Sequence, residues 1–265
     1  MPEVNSRGTT ISFDDKGAGE PALVFMPGWC GSRSVFGSIT EKCAARRRIL
    51  SLDWRGHGRS GAPEGDFGTD ALVEDALSVI EASETESVVP VALSHAGWVA
   101  IELRRILGTR VSKLVLLDWI ILDAPPPFLG ALQSLQDRTK WRQTREQLFT
   151  MWLHGLDIPE LARYVREDMG SYSFDMWARA GREIYSAYAK KGSPLKALAA
   201  LKPTLPVLHL YAQPDDPGYL DAQKSFGAAH PWFRVRNVKA HSHFPMTEVP
   251  DEIAAEIESF VVRDT

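Results

Sequence analysis

A chain of 265 residues, 44% hydrophobic and 24% charged, has the composition of a soluble globular protein, large enough for one α/β domain with an insertion and too short for two full domains. Its net charge of −4, without Lys/Arg clusters interleaved with aromatics, argues against nucleic acid as a partner, and no apolar segment approaches the length of a membrane span. Cys30 and Cys43 form neither a zinc pattern nor a disulfide framework, and the opening M-P-E-V-N-S-R lacks the regions of a signal peptide, so a reduced, cytoplasmic protein is expected.

Thr9–Asp14 alternates like an edge strand, and Ala22–Met26 reads as a buried strand running into the small-residue loop Pro27-Gly28-Trp29-Cys30-Gly31. Such a loop can turn backbone N–H groups toward a ligand, or be only a tight turn. Arg46-Arg47-Arg48 reads as a solvated helix end. The strand Arg48–Leu52 then leads into the glycine-rich bend Asp53–Ser60, which opens with D-W-R-G-H-G at Asp53–Gly58 and whose G-H-G lacks the spacing of a dinucleotide loop. Leu72, Val73, Ala76, Leu77 and Ile80 give Thr69–Ala82 the stripe of a helix packed on a sheet.

Val88–Leu93 is an apolar, β-branched run that ends at Ser94 and is followed by a helix from about His95 to Leu107. This is the strand–turn–helix context of a nucleophile elbow, with Ala92 and Ala96 where glycines are usual; an ordinary βα turn would look similar. Lys113–Leu117 is the next strand and delivers Asp118. Near-continuous apolar strands of this kind belong to a parallel sheet covered on both faces, so the fold class is α/β.

After Asp118 the pattern changes. Pro125-Pro126-Pro127 breaks the chain, and helical patterns follow over Phe128–Gln136, Trp141–Trp152, Ile158–Glu167, Tyr172–Lys190 and Pro194–Ala200. They read as a helical cap at residues 124–200, inserted between two parts of the core at 1–123 and 201–265. The chain has eight Trp, and the cap's aromatics would mostly be core, with some lining a cavity between the layers. Trp141, Trp152, Trp177 and Tyr185 are the cap candidates, with Trp29 and His95 from below. The sheet resumes at Pro206–Tyr211, followed by a helix within Gly218–Ala229, the strand Phe233–Val238, and a closing helix from Pro250.

Ligands of parallel sheets sit beyond the carboxyl ends of the strands. The order Ser94, then an aspartate, then His243 late in the chain is that of α/β-hydrolase triads. His243 is the expected general base. The aspartate is Asp118 or one of Asp215 and Asp216; the apolar strand end favours Asp118, and the flanking prolines make the other two look like turn formers. His57, His154, His209, His230 and His241 read as structural, surface or supporting residues.

The stretches P-G-W-C at Pro27–Cys30, D-W-R-G-H-G, S-H-A-G-W at Ser94–Trp98, L-D-W at Leu117–Trp119, M-W-L-H-G at Met151–Gly155, A-H-P-W-F at Ala229–Phe233 and H-F-P at His243–Pro245 resemble those of the cofactor-free 3-hydroxy-4(1H)-quinolone 2,4-dioxygenases. The likeness spans nearly the whole chain and is strongest to the mycobacterial and rhodococcal branch that degrades 2-alkyl-3-hydroxy-4-quinolone signals. It implies an α/β-hydrolase fold that uses a 3-hydroxy-4(1H)-quinolone and O2 without cofactor or metal and releases carbon monoxide and an N-acylanthranilate. It also implies that His243 deprotonates the 3-hydroxyl group with support from Asp118, that Ser94 hydrogen-bonds the substrate, that His95 helps to hold it, and that Trp29 and Trp152 lie near the ring and the dioxygen.

Some members have histidines where this chain has Leu93 and Gly31, which implies a more apolar pocket suited to an alkyl tail, a 2-heptyl group being the expected one. A monomer or weak homodimer is expected. The competing reading is a serine hydrolase, an esterase or lactonase, with the triad Ser94, Asp118 or Asp216, and His243.

Overall fold

The computed structural model describes residues 2–263; Met1, Asp264 and Thr265, at the ends of the expected core ranges, lie outside the described residues. Eight strands form one sheet in the order β1-β2-β4-β3-β5-β6-β7-β8. They are β1 (Glu3–Ser6), β2 (Thr9–Lys16), β3 (Ala22–Met26), β4 (Ile49–Leu52), β5 (Val88–Leu93), β6 (Leu114–Leu117), β7 (Val207–Tyr211) and β8 (Phe233–Asn237). β1 and β2 are antiparallel to their neighbours and the remaining pairs are parallel.

The fully buried strands β3, β4, β5, β6 and β7 need cover on both faces, and helices supply it. These are α1 (Gly37–Ala44), α2 (Thr69–Ala82), α3 (Ala96–Leu107), α9 (Pro217–Ala229) and α11 (Pro250–Val262), with the short α10 (Pro245–Glu248) beside α11. Between β6 and β7 the chain makes α4 (Pro126–Ser134), α5 (Trp141–Leu153), α6 (Pro159–Arg163), α7 (Phe174–Lys191) and α8 (Pro194–Ala199). No helix of the described residues is long and apolar enough to cross a membrane.

Several local expectations are corrected. Thr9–Asp14 is not at an edge, because β1, whose four residues are too polar to read as a strand, pairs outside it. Helix α1, eight residues whose buried face is Ile39, Thr40 and Cys43, is not among the expected elements. The basic run after it is not merely solvated: Arg47 donates twice to Glu258, and Arg48 donates to both oxygens of Asp15. The helix expected over Ile158–Glu167 is α only to Arg163. It widens into a π turn at Tyr164–Asp168, and a 3₁₀ turn follows at Met169–Ser171, so that Tyr164, Val165 and Met169 all turn inward.

The topology fixes where a site can be. β3 leads to β4 on one side, while the next strand, β5, adds on the other. The loops after β3 and β5 therefore diverge across a crevice, the switch point at which open parallel sheets bind ligands. Register brings the strand ends level: Met26 pairs with Ala92, Leu93 with Leu117, and Leu117 with Leu210.

Candidate active site

Ser94 sits at φ 54°, the left-handed conformation that a strand-to-helix elbow imposes on a non-glycine residue. Its N–H donates to Leu117 O at 2.8 Å and its carbonyl accepts from Gly97 N–H at 3.0 Å, so the turn is held by β6 on one side and α3 on the other. Ala92 and Ala96 are buried, and the small residues at the elbow leave room for the loop after β3. Gly28 lies so near that a Cβ there would stand 3.7 Å from that of Ser94.

That loop is anchored from beneath by the bend after β4. Trp54 Nε1–H donates to Pro27 O at 2.7 Å, and Cys30 N–H donates to His57 Nε2 at 3.1 Å. His57 Nδ1–H donates in turn to Arg55 O at 2.8 Å. Burial pushes this imidazole down to about 4, so it stays neutral and keeps its Nε2 lone pair for the loop. The backbone N–H groups of Trp29 and His95 have no acceptor among the described residues, and both residues line the same cavity. Two such donors can stabilise an oxygen-centred negative charge.

His243 Nδ1–H donates to Asp118 Oδ1 at 2.7 Å. The other carboxylate oxygen of Asp118 accepts from the N–H groups of Ala212 at 2.6 Å and Gln213 at 3.0 Å, a grip available because β6 and β7 end together. Asp216 instead caps α9 through Gly218 N–H at 2.7 Å, and Asp215 is exposed at the rim. Since a carboxylate only accepts, His243 carries its hydrogen on Nδ1 and presents an Nε2 lone pair, as a general base must. No hydrogen bond joins His243 to Ser94 Oγ among the described residues.

The cavity over these groups is about 660 Å³. Trp29, Ser94, His95, Asp118 and His243 line its floor, together with Leu93 and Phe244, and Trp152 stacks over the His243 ring at 5.3 Å and 22°. Leu132, Leu135, Leu148, Trp177 and Ile184 of the cap make apolar walls. Trp141 and Tyr185 are not in that wall. Trp141 lies a turn before Thr144, the first cavity residue of α5, and packs on Phe174 beneath Arg145. Tyr185 follows Ile184 on α7 and so points about 100° away from the lining face.

Tyr164 was hidden in the sequence because a helical pattern gives no hint of a π turn. Its hydroxyl accepts from Ser32 N–H at 3.2 Å and occupies the space beside Gly31, where a Cβ would come within 2.5 Å of it. The pocket edge opened by Gly31 is therefore refilled by a phenol, not simply made more apolar. Gln213 is a second unforeseen residue: its side-chain amide donates to Met151 O and His241 O, tying the cap end to the His243 loop. Among the described residues, no three His, Cys, Asp or Glu side chains are arranged to hold a metal ion.

Over residues 23–256 the sequence matches the alpha/beta hydrolase family. A 2-heptyl-3-hydroxy-4(1H)-quinolone dioxygenase of Mycobacteroides abscessus is 38% identical, with 94% of this chain and 93% of that protein aligned. The 1H-3-hydroxy-4-oxoquinoline 2,4-dioxygenase of Pseudomonas putida is 31% identical over 98% of this chain and 99% of its own. A solved structure of AqdC with its product, concerned with recognition and ring cleavage of the Pseudomonas quinolone signal, superposes with a TM-score of 0.94 at 35% identity, covering 99% of this chain and 100% of that one.

Proposed function

The chain belongs to the alpha/beta hydrolase family and, within it, to the 3-hydroxy-4-quinolone 2,4-dioxygenases, and from that membership we propose that it cleaves the ring of a 2-alkyl-3-hydroxy-4(1H)-quinolone, the 2-heptyl compound above all, at C2 and C4 with O2. The observation that carries this reading at the site is the His243–Asp118 pair, whose Nε2 lone pair is left to a wide apolar cavity that Ser94 also lines, with no hydrogen bond from Ser94 Oγ to His243 among the described residues.

His243 Nε2 takes the proton of the 3-hydroxyl group, and Asp118 balances the imidazolium that forms. The electron-rich quinolone anion transfers an electron to triplet dioxygen, and the radical pair couples at C2. The resulting peroxide attacks the C4 carbonyl, and ring opening releases carbon monoxide and leaves the N-acylanthranilate, with both atoms of O2 retained in the products. The Trp29 and His95 N–H groups stabilise oxygen-centred charge, and the cap keeps the site dry. Ser94 serves as a hydrogen-bonding group to the substrate. The protein acts as a monomer or weak homodimer.

Aerobic incubation with 2-heptyl-3-hydroxy-4(1H)-quinolone tests the reaction: one O2 consumed and one carbon monoxide released per quinolone is the expected result. Ser94→Ala should retain activity, reduced by roughly tenfold as for one lost hydrogen bond. A serine hydrolase would instead lose turnover altogether with Ser94→Ala and accumulate an acyl-enzyme on Ser94 with an activated ester, detectable by intact mass.

A further inference from the structure

Two imidazoles face the cavity floor, and their outward nitrogens are of opposite kinds. His243 must carry its hydrogen on Nδ1, because Asp118 can only accept. His95 receives a hydrogen bond on Nδ1 from the Trp119 indole N–H at 3.3 Å, and an indole N–H can only donate. His95 Nδ1 is therefore a lone pair, and a neutral ring must then carry its hydrogen on Nε2. Burial, with His243 close by, pushes the His95 imidazole down to about 3, so the neutral ring persists across the working range of pH.

We propose that Trp119 is a positioning residue that holds His95 as its Nε2–H tautomer, making His95 a fixed hydrogen-bond donor to the ketone oxygen of the substrate. Trp119 is suited to this because it cannot move. It is buried against Gly97, where a Cβ would come within 2.2 Å of the indole, its backbone N–H donates to His209 Nε2 at 3.4 Å, and its backbone carbonyl accepts from the Tyr219 hydroxyl at 2.8 Å. The His95 ring is stacked on Phe128 at 5.8 Å and 9° and meets Tyr188 edge-on, which fixes its plane.

Side by side, a lone pair and an N–H match a hydroxyl that loses its proton next to a ketone that gains negative charge, which is the 3-hydroxy-4-ketone unit of the quinolone. The ketone as partner rests on the function proposed above, whereas the tautomer does not.

Nitrogen-15 correlation spectra of the full-length protein, labelled at histidine, report the tautomer directly. The expected His95 pattern is a protonated Nε2 and a pyridine-like Nδ1. Replacing Trp119 with benzothienylalanine, which keeps the shape and lacks the N–H, or making Trp119→Phe, should give mixed tautomers at His95 and lower kcat/KM for the heptyl quinolone by roughly fivefold to tenfold. A native spectrum with the hydrogen on Nδ1, or a benzothienylalanine protein with unchanged spectrum and kinetics, overturns the proposal. A native protein that turns over no quinolone would overturn the function and leave the tautomer standing on its spectrum.

Discussion

The floor and the roof of the cavity are built on different physical principles. On the floor every reactive group is held by directed hydrogen bonds from strand ends: Asp118 by two backbone N–H groups, His243 by Asp118, and the Trp29 loop by Trp54 and His57. The cavity-facing wall of the roof is packed by apolar contact, with Trp152 on Trp177 at 6.4 Å and Phe149 on Trp177 at 5.6 Å, while directed ties such as Thr69 N–H to Glu183 and the Tyr188 hydroxyl to Ile120 O hold the cap to the body. Directed bonds fix positions to fractions of an ångström, whereas apolar packing fixes volume and tolerates repacking. Chemistry should therefore reside in the floor and substrate choice in the roof.

The largest effect that would sharpen this contrast is on the floor. His243→Ala should lower kcat for the quinolone by 10²–10⁴-fold, the range of a positioned base, with KM changed little. Asp118→Asn should follow at roughly 10²-fold, because an amide turned toward His243 asks Nδ1 to accept and so moves the hydrogen onto the nitrogen that must take the substrate proton. A silent Asp118→Asn together with a severe Asp215→Asn or Asp216→Asn, seen in steady-state rates across pH, would break the assignment.

A change in the roof should act on choice instead. Ala131 faces the cavity from α4, and Ala131→Leu fills part of it. The preference among 2-methyl, 2-pentyl, 2-heptyl and 2-nonyl quinolones should move to shorter tails, by up to about fourfold in kcat/KM for each excluded methylene, while kcat on the 2-methyl compound is kept. A flat series in both proteins would separate the roof from specificity.

The smallest effect is on stability. His57 and His209 are buried within the floor, and burial pushes both from 6.5 down to about 4. Between those values the unfolded chain binds protons at these two imidazoles, and at His95, which is pushed down to about 3, that the native protein does not, so stability rises with pH and is lost as pH falls from 6.5 toward 4. Thermal unfolding at stepped pH should show Tm falling through this window. His209→Gln should flatten the slope by one proton, and an unchanged slope would mean that His209 is not held neutral.

The sequence by itself determined what local order and chain order can encode. The buried strands, the elbow at Ser94, the order of Ser94, Asp118 and His243, and the long helical stretch between β6 and β7 were all legible, because apolar periodicity and turn chemistry are properties of neighbouring residues. The motifs added the family, through stretches that the fold then gathers: D-W-R-G-H-G proves to be the brace beneath P-G-W-C.

Tertiary structure alone decided which residues meet across long separations. Asp118 is 125 positions from His243, and only the level ends of β6 and β7 let Ala212 and Gln213 orient its carboxylate. Trp141 and Tyr185 looked no different from Trp152 and Trp177 in composition, since which side of a helix faces a cavity depends on where its partner helix lies. Tyr164 reached the Gly31 loop through a π turn that leaves no periodic trace, and the polarity of His95 was set by an indole 24 residues away. A hydrogen bond is made by two groups at a distance and an angle, and a linear pattern specifies neither until the chain has folded.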